Sequence, residues 1–260
     1  MQTDGLSASR TRHALVVLRS MLDAAVRDRM LAVNPCHGVK APKLQRREAA
    51  YFAAAVVDDI ARATPEPYDL LIRVLGAGGL RFGEAAALRQ RNVDLMRCRL
   101  LIEESLAEVR GHLIFGPTKS HAVRAVPLSE SFAAAFESHL AACVAPEPDA
   151  LVFTGPKGGP LRYRYAHSSL WRPTLKALGL PLVGLHALRH SAAARMISAG
   201  ASPKAIQSIL GHESAAFSLS VYGHLFDTDL DDLATRLDSP AASPRPTIKS
   251  TAVADFEKAL

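Results

Sequence analysis

Cysteine is scarce in this chain. The three thiols, Cys36, Cys98 and Cys143, are scattered with no Cys-x-x-Cys spacing, which argues against a zinc framework or a disulfide scaffold and points to a reducing cytoplasm. Long apolar runs are missing as well. The one from Leu15 to Val26 is broken by Arg19 and Asp23, so neither membrane insertion nor export is expected. Gly76-Ala77-Gly78-Gly79 lacks the Lys-Ser/Thr ending of a nucleotide phosphate loop, and is read as a tight connection between helices.

The chain has 260 residues, 48% of them hydrophobic, enough for one large domain or for one domain with a smaller companion. The net charge of +6 is unevenly spread. From Asp227 onward there are seven acids against four bases, so the first 226 residues carry +9. Such a body suits contact with phosphates, and such a tail does not.

Periodicity predicts a mostly helical protein. Leu15, Leu18, Leu22 and Val26 recur at helical spacing between Ser7 and Leu31, with Ser7 or Ser9 as the cap. Asn34-Pro35 ends that helix, and residues 38–43 read as an extended basic linker. Further helices are expected over 53–63, 68–75, 81–88, 129–142, 165–178, 186–199, 203–210 and 215–222, with a short one over 225–237. Residues 99–104, 112–115 and 123–126 alternate or cluster apolar side chains between turn signals and are expected to form one small antiparallel sheet. Lys119 then falls in the turn between its second and third strands. Residues 239–246 are a linker by composition, and Val253, Phe256 and Leu260 form a possible apolar stripe beyond it.

Certain residue types recur in a telling order. Arg81 stands in Gly79-Leu80-Arg81-Phe82-Gly83-Glu84, and Lys119 in Thr118-Lys119-Ser120. His186 and Arg189 follow three residues apart, then His212 in Leu210-Gly211-His212, then Tyr222 ten residues later. A phosphodiester repels nucleophiles, and its pentacoordinate transition state concentrates charge on the non-bridging oxygens. Two arginines neutralise that charge with planar forked donors at any working pH. A phenol of pKa about 10 needs cations or a base to attack at neutral pH. The departing 5′-oxygen needs a general acid, a task open to histidine or lysine.

Taken singly these residues have ordinary explanations. Glu84 can pair with a nearby cation, Lys119 can be a solvated turn residue, and Tyr222 a half-buried aromatic. His186, His190, His212 and His224 raise a metal site as an alternative, but no carboxylate or cysteine completes a ligand spacing and the arginines would repel a cation.

In combination the residues resemble the tyrosine recombinases of the phage-integrase type, over roughly residues 10–238. The resemblance implies a mainly α (α+β) fold, a helical catalytic domain with a small antiparallel hairpin sheet. It also implies strand cutting and rejoining through a 3′-phosphotyrosine, without metal or ATP, by a homo-oligomer (a tetramer) on double-stranded DNA. Arg81 and Arg189 would clamp the phosphate, Tyr222 would attack, Lys119 would be the acid, His186 the base and His212 a phosphate ligand. His190 would support from behind, and His224 is unassigned. Ala187 stands where the family often has Asp, and Gln90 where it commonly has Trp. Residues 1–45 are expected to be the end of a core-binding helical domain plus linker, its earlier helices missing, 46–238 the catalytic domain and 239–260 a linker and tail. A non-cutting DNA-binding remnant and a type IB topoisomerase-like enzyme are the alternatives.

Overall fold

The computed structural model describes residues 6–43, 50–118 and 123–223. Lys119, His224, the expected helix over 225–237 and the apolar stripe of Val253, Phe256 and Leu260 lie outside the described residues. The chain divides into two compact units, Met1–Glu48 and Ala49–Leu260.

The first unit is built on α1 (Ala8–Arg27), whose N-terminus is capped by Ser7, the Oγ accepting from Arg10 N–H at 3.3 Å. Its return is fastened by Asn34, which is 2% exposed. The Asn34 amide donates to Asp23 Oδ1 at 2.6 Å and to the Arg19 carbonyl at 3.2 Å, and its carbonyl oxygen accepts from Cys36 N–H at 2.9 Å. The helix itself ends earlier than the Asn34-Pro35 pair suggested: it stops at Arg27, where Arg29 at φ 59° turns the chain and the Met30 N–H bonds the Ala25 carbonyl, and the Asx turn at Asn34 shapes only the later return.

The second unit opens with α2 (Ala54–Ala63) and α3 (Asp69–Gly76). Leu70, Leu71, Ile72, Val74 and Leu75 are all buried, so α3 is apolar nearly all round and runs through the core. The glycine-rich connection leads into α4 (Phe82–Ala86), with Arg81 at its N-cap. Among the described residues five strands follow: β1 (Val93–Asp94), β2 (Arg99–Ile102), β3 (Glu104–Val109), β4 (His112–Pro117) and β5 (Arg124–Pro127).

These strands form two sheets where one was expected. The order β1-β2-β5 is antiparallel, with Leu100 opposite Val126, while among the described residues β3 and β4 pair only with each other. The pairing partner of the predicted 112–115 strand is β3, which sequence periodicity missed. Glu-Ser-Leu-Ala-Glu-Val carries one β-branched residue, so its strand character comes from pairing and from its turn. Arg110 and Gly111, both at positive φ (50° and 84°), make the two-residue hairpin turn that favours this pairing. Lys119 therefore lies in the connection between β4 and β5, which belong to different sheets.

Helix α5 (Glu130–Cys143) closes one side. A composite helix comes next: α6 (Tyr163–Tyr165), a π-helical turn over Ala166–Trp171 and α7 (Arg172–Ala177). The π turn seats Trp171, fully buried, with its Nε1–H donating to the Val183 carbonyl at 2.7 Å. Then come α8 (His186–Ser198), α9 (Pro203–Leu210) and α10 (Ala215–Tyr222). Pro203 at N1 and Ser202 at the N-cap start α9; Gly211 at φ 66° stops it. Ser214 caps α10. Together α8, α9 and α10 enclose a small second core of Ala193, Ile197, Ile206, Leu210 and Tyr222.

Candidate active site

The site begins with a carboxylate between two guanidinium groups. Glu84 is 2% exposed. Its Oε2 accepts the Arg81 backbone N–H at 2.8 Å and its Oε1 accepts Arg81 Nη1 at 2.9 Å, a contact three residues apart that also closes the first turn of α4. On its other side Arg124, from β5, donates Nη1 to Oε1 at 3.0 Å and Nη2 to Oε2 at 2.6 Å. Burial alone would raise the Glu84 carboxyl; the Arg124 hydrogen bonds and charge, then those of Arg81, outweigh it and hold the carboxyl below its ordinary value. Glu84 is therefore ionised at neutral pH.

Three arginines then converge on the end of α9. Arg124 Nε donates to the Ile209 carbonyl at 2.8 Å, Arg189 Nη2 to Leu210 at 2.5 Å and Arg81 Nη2 to Gly211 at 3.2 Å. A helix C-terminus presents carbonyls with no partner in the helix and a partial negative charge, so it attracts cations that would otherwise repel each other. Arg189 is 2% exposed, and its Nη1 also donates to the Gly79 carbonyl at 2.7 Å. Burial, then the nearby Arg81 charge, lowers its pKa to about 9, which leaves it charged at neutral pH.

Gly79 makes that bond possible. It sits at φ 70°, and a Cβ there would lie 2.4 Å from Leu210 Cδ2 and 3.2 Å from Ala192 Cβ. Only glycine lets the loop before Arg81 close against α8 and α9.

Tyr222 is 3% exposed and lies between two imidazoles. His190 Nδ1 is hydrogen-bonded to the Tyr222 hydroxyl at 2.8 Å, and the His212 ring stacks on the Tyr222 ring at 6.3 Å between centroids and 16° between planes. His186 meets His190 edge to face at 4.9 Å. Burial, and after it the charges of Arg189 and Arg81, lowers the pKa of His186. His212 falls to about 4 by burial and then Arg189 and Arg81, and His190 to about 4 by burial, then His186 and Arg189. All three rings are neutral at pH 7. Burial raises the Tyr222 phenol, an effect that Arg189 opposes.

Residues 51–229 match the phage integrase family. The chain belongs to that family. It is 31% identical to the tyrosine recombinase XerC of Methylobacterium nodulans, over 83% of this chain and 66% of that protein. The integrase of mycobacteriophage L5 is 27% identical over 80% of this chain and 57% of that one. The chain thus spans between about half and two thirds of the length of these relatives. Among solved structures, a Tn1549 transposon integrase in complex with a circular intermediate DNA superposes with a TM-score of 0.76 at 21% identity, covering 90% of this chain and 82% of that one. A XerH recombinase bound to a palindromic difH substrate gives 0.67 at 18%, covering 91% and 69%.

Five of the six residues singled out from the integrase resemblance, Arg81, His186, Arg189, His212 and Tyr222, come together in the fold. The sixth, Lys119, lies outside the described residues. Two neighbours were not singled out as site residues: Arg124, a further base in an unremarkable strand, and His190, expected only in a supporting place. Their signals were weak, since Arg124 reaches Glu84 across 40 residues and His190 reaches Tyr222 across 32. Among the described residues, no group of three or more His, Cys, Asp or Glu side chains gathers to hold a metal ion. Nor is any helix there long and apolar enough to cross a membrane.

Ser218 explains how His212 is kept in place. It is 1% exposed, one helical turn before Tyr222 on α10, and its Oγ is hydrogen-bonded to His212 Nδ1 at 2.8 Å. Removing the hydroxyl leaves a half-buried ring nitrogen without its partner, at a cost of about 1–3 kcal/mol. Ser218→Ala is therefore expected to lower the urea midpoint of unfolding, and Ser218→Thr, which keeps the hydroxyl, to restore most of it. An alanine variant as stable as the parent would remove the bond from the account.

Proposed function

We propose that this chain is the catalytic part of a site-specific DNA recombinase that cuts a strand by attack of Tyr222 on a phosphodiester, holds a 3′-phosphotyrosine and rejoins the strand. The observation that carries this reading is the buried phenol, hydrogen-bonded to one imidazole and stacked on another, beside arginines whose donors are only partly used. A guanidinium has five N–H donors. Arg81 and Arg189 each place a bond from both Nη atoms on the protein, which leaves donors on each for non-bridging oxygens. Arg81, Arg124 and Arg189 together with Glu84 sum to a local charge of +2, the complement of a doubly negative pentacoordinate transition state.

In this reading His212 helps to bind the phosphate and Lys119, on the connection between β4 and β5, protonates the leaving 5′-oxygen. Residues 46–238 form the catalytic domain, and residues 1–45 belong to the core-binding side. Double-stranded DNA is the partner and the working form is a homo-oligomer, a tetramer, on that DNA; the DNA-bound relatives above support the first point. The attack needs neither ATP nor a metal, because the phosphotyrosine conserves the bond.

The test is a duplex built from the repeats that flank the encoding gene, nicked near the cleavage point so that the short fragment released with a 5′-hydroxyl diffuses away. The wild type is expected to accumulate a covalent adduct mapping to Tyr222. Tyr222→Phe is expected to form none, with DNA affinity within about twofold, since one hydroxyl contributes little to a phosphate-dominated interface. An adduct with the phenylalanine variant would refute the assignment of the nucleophile.

A further inference from the structure

The phenol of Tyr222 must lose a proton as it attacks, and its surroundings limit where that proton can go. At 3% exposure it has little contact with bulk water. Its hydrogen-bond partner is His190 Nδ1 at 2.8 Å, with the two rings 5.7 Å apart and inclined by 62°. His186, expected to be the base, packs against His190 edge to face. His212 lies on the phenol ring, with its Nδ1 engaged by Ser218. Arg189 is occupied by the carbonyls of Gly79 and Leu210 and is charged, so it can accept nothing.

We infer that His190 is the proton acceptor for Tyr222 and therefore a catalytic residue of strand cleavage, an assignment that rests on the function proposed above. As the Oη–P bond forms, the Oη–H bond breaks and its proton passes to His190 Nδ1. The P–O5′ bond breaks with its electron pair on the 5′-oxygen, which takes a proton from the general acid. In rejoining, the 5′-hydroxyl returns its proton to the deprotonated general acid as it attacks phosphorus, and the P–Oη bond breaks with the departing phenolate recovering its proton from His190.

The groups that face His190 favour this cycle. His186 and Arg189 on its own helix, and His212 and Tyr222 across from it, provide cationic or neutral neighbours, and burial with His186 and Arg189 keeps the ring neutral above about pH 4. A neutral ring has a lone pair to offer. The resulting imidazolium is disfavoured beside Arg189, so it readily returns the proton on reversal. Burial disfavours ionisation of the phenol ahead of attack, an effect that Arg189 only opposes, so transfer accompanies bond formation.

Rates of adduct formation on the nicked duplex, measured from pH 6 to 9, test the assignment. The wild type is expected to be nearly independent of pH, once any titration of the general acid is removed by a substrate with sulfur at the bridging 5′ position. His190→Ala is expected to be slower by about 10²- to 10⁴-fold at pH 7 and to gain about tenfold per pH unit as free ionisation of the phenol replaces the lost base. His190→Asn keeps a hydrogen-bonding group there but cannot take the proton, and is expected to show the same deficit and slope. Restoration by Asn, or a rate deficit without the pH slope, would reduce His190 to a positioning residue. Rescue of His190→Ala by the sulfur substrate would make it the acid.

Nitrogen-15 NMR of the imidazoles in the DNA-free protein provides a readout independent of cleavage. An unprotonated, hydrogen-bonded His190 Nδ1 is expected, and a protonated Nδ1 would overturn the assignment even if no adduct were ever seen. Failure of the wild type to form adducts with Nδ1 unprotonated would instead sink the cleavage reading and, with it, the role inferred for His190.

Discussion

Arg189→Lys is expected to slow adduct formation by about 10³-fold or more, although it preserves the charge. The guanidinium holds two carbonyls, Gly79 at 2.7 Å and Leu210 at 2.5 Å, that come from different parts of the chain. One belongs to the loop that delivers Arg81, the other to the end of α9. A single ammonium cannot span both while also meeting a phosphate oxygen, so in the proposed reaction the substitution would lose forked recognition of the phosphate. Loss of one preorganised donor to a developing oxyanion typically costs 10²- to 10³-fold, and displacement of Arg81 adds to it. Single-turnover adduct formation on the nicked duplex measures the effect. A lysine variant within tenfold of the wild type would mean that charge alone is required at this position.

Glu84→Ala is expected to be the most destabilising single change in the site, by about 3–5 kcal/mol, because it leaves buried Arg124 without its carboxylate. The side chains of Glu84 and Arg124 are 1% and 8% exposed, so water cannot take the carboxylate's place. The loss is a large share of the roughly 5–15 kcal/mol that holds a domain together. Urea unfolding should show a lower midpoint at unchanged slope. The pH dependence follows from the lowered Glu84 pKa. A carboxyl whose folded pKa lies below its unfolded value contributes its full stabilisation above the unfolded value, near 4.5, and loses it as pH falls through the folded value. The stability difference between wild type and Glu84→Ala should therefore be constant through neutrality and shrink below about pH 4.5. A difference under about 1 kcal/mol at pH 7 would show that Arg124 finds another partner.

What could be read before the fold was known divides along physical lines. Helices with strong local signals, such as α9 with Pro203 first and Gly211 after its end, were legible to the residue. So was the sequence order of Arg81, His186, Arg189, His212 and Tyr222, because the chemistry demands particular residue types. β3 was not, since its conformation depends on its partner β4 and the Arg110-Gly111 turn. Nor were Arg124 and the hydroxyl contact of His190. Each acts through a neighbour that is distant in sequence, and only the packing of β5 on α9, and of α8 beside α10, brings them there. Glu84 shows both sides of this. That it could pair with a nearby cation was foreseen from the sequence, and Arg81 is that local partner, while its bond to Arg124 was not foreseen.

The placement of Ser218 and Tyr222 one turn apart on α10 makes the seat of the Tyr222 phenol and the alignment of His212 a single mechanical unit. A helix moves as a body, so any displacement of α10 that draws the phenol from His190 also draws the hydroxyl from His212. The two bonds break together or persist together. In the proposed reaction, withdrawal of α10 would therefore take away the attacking oxygen and loosen an imidazole in one motion.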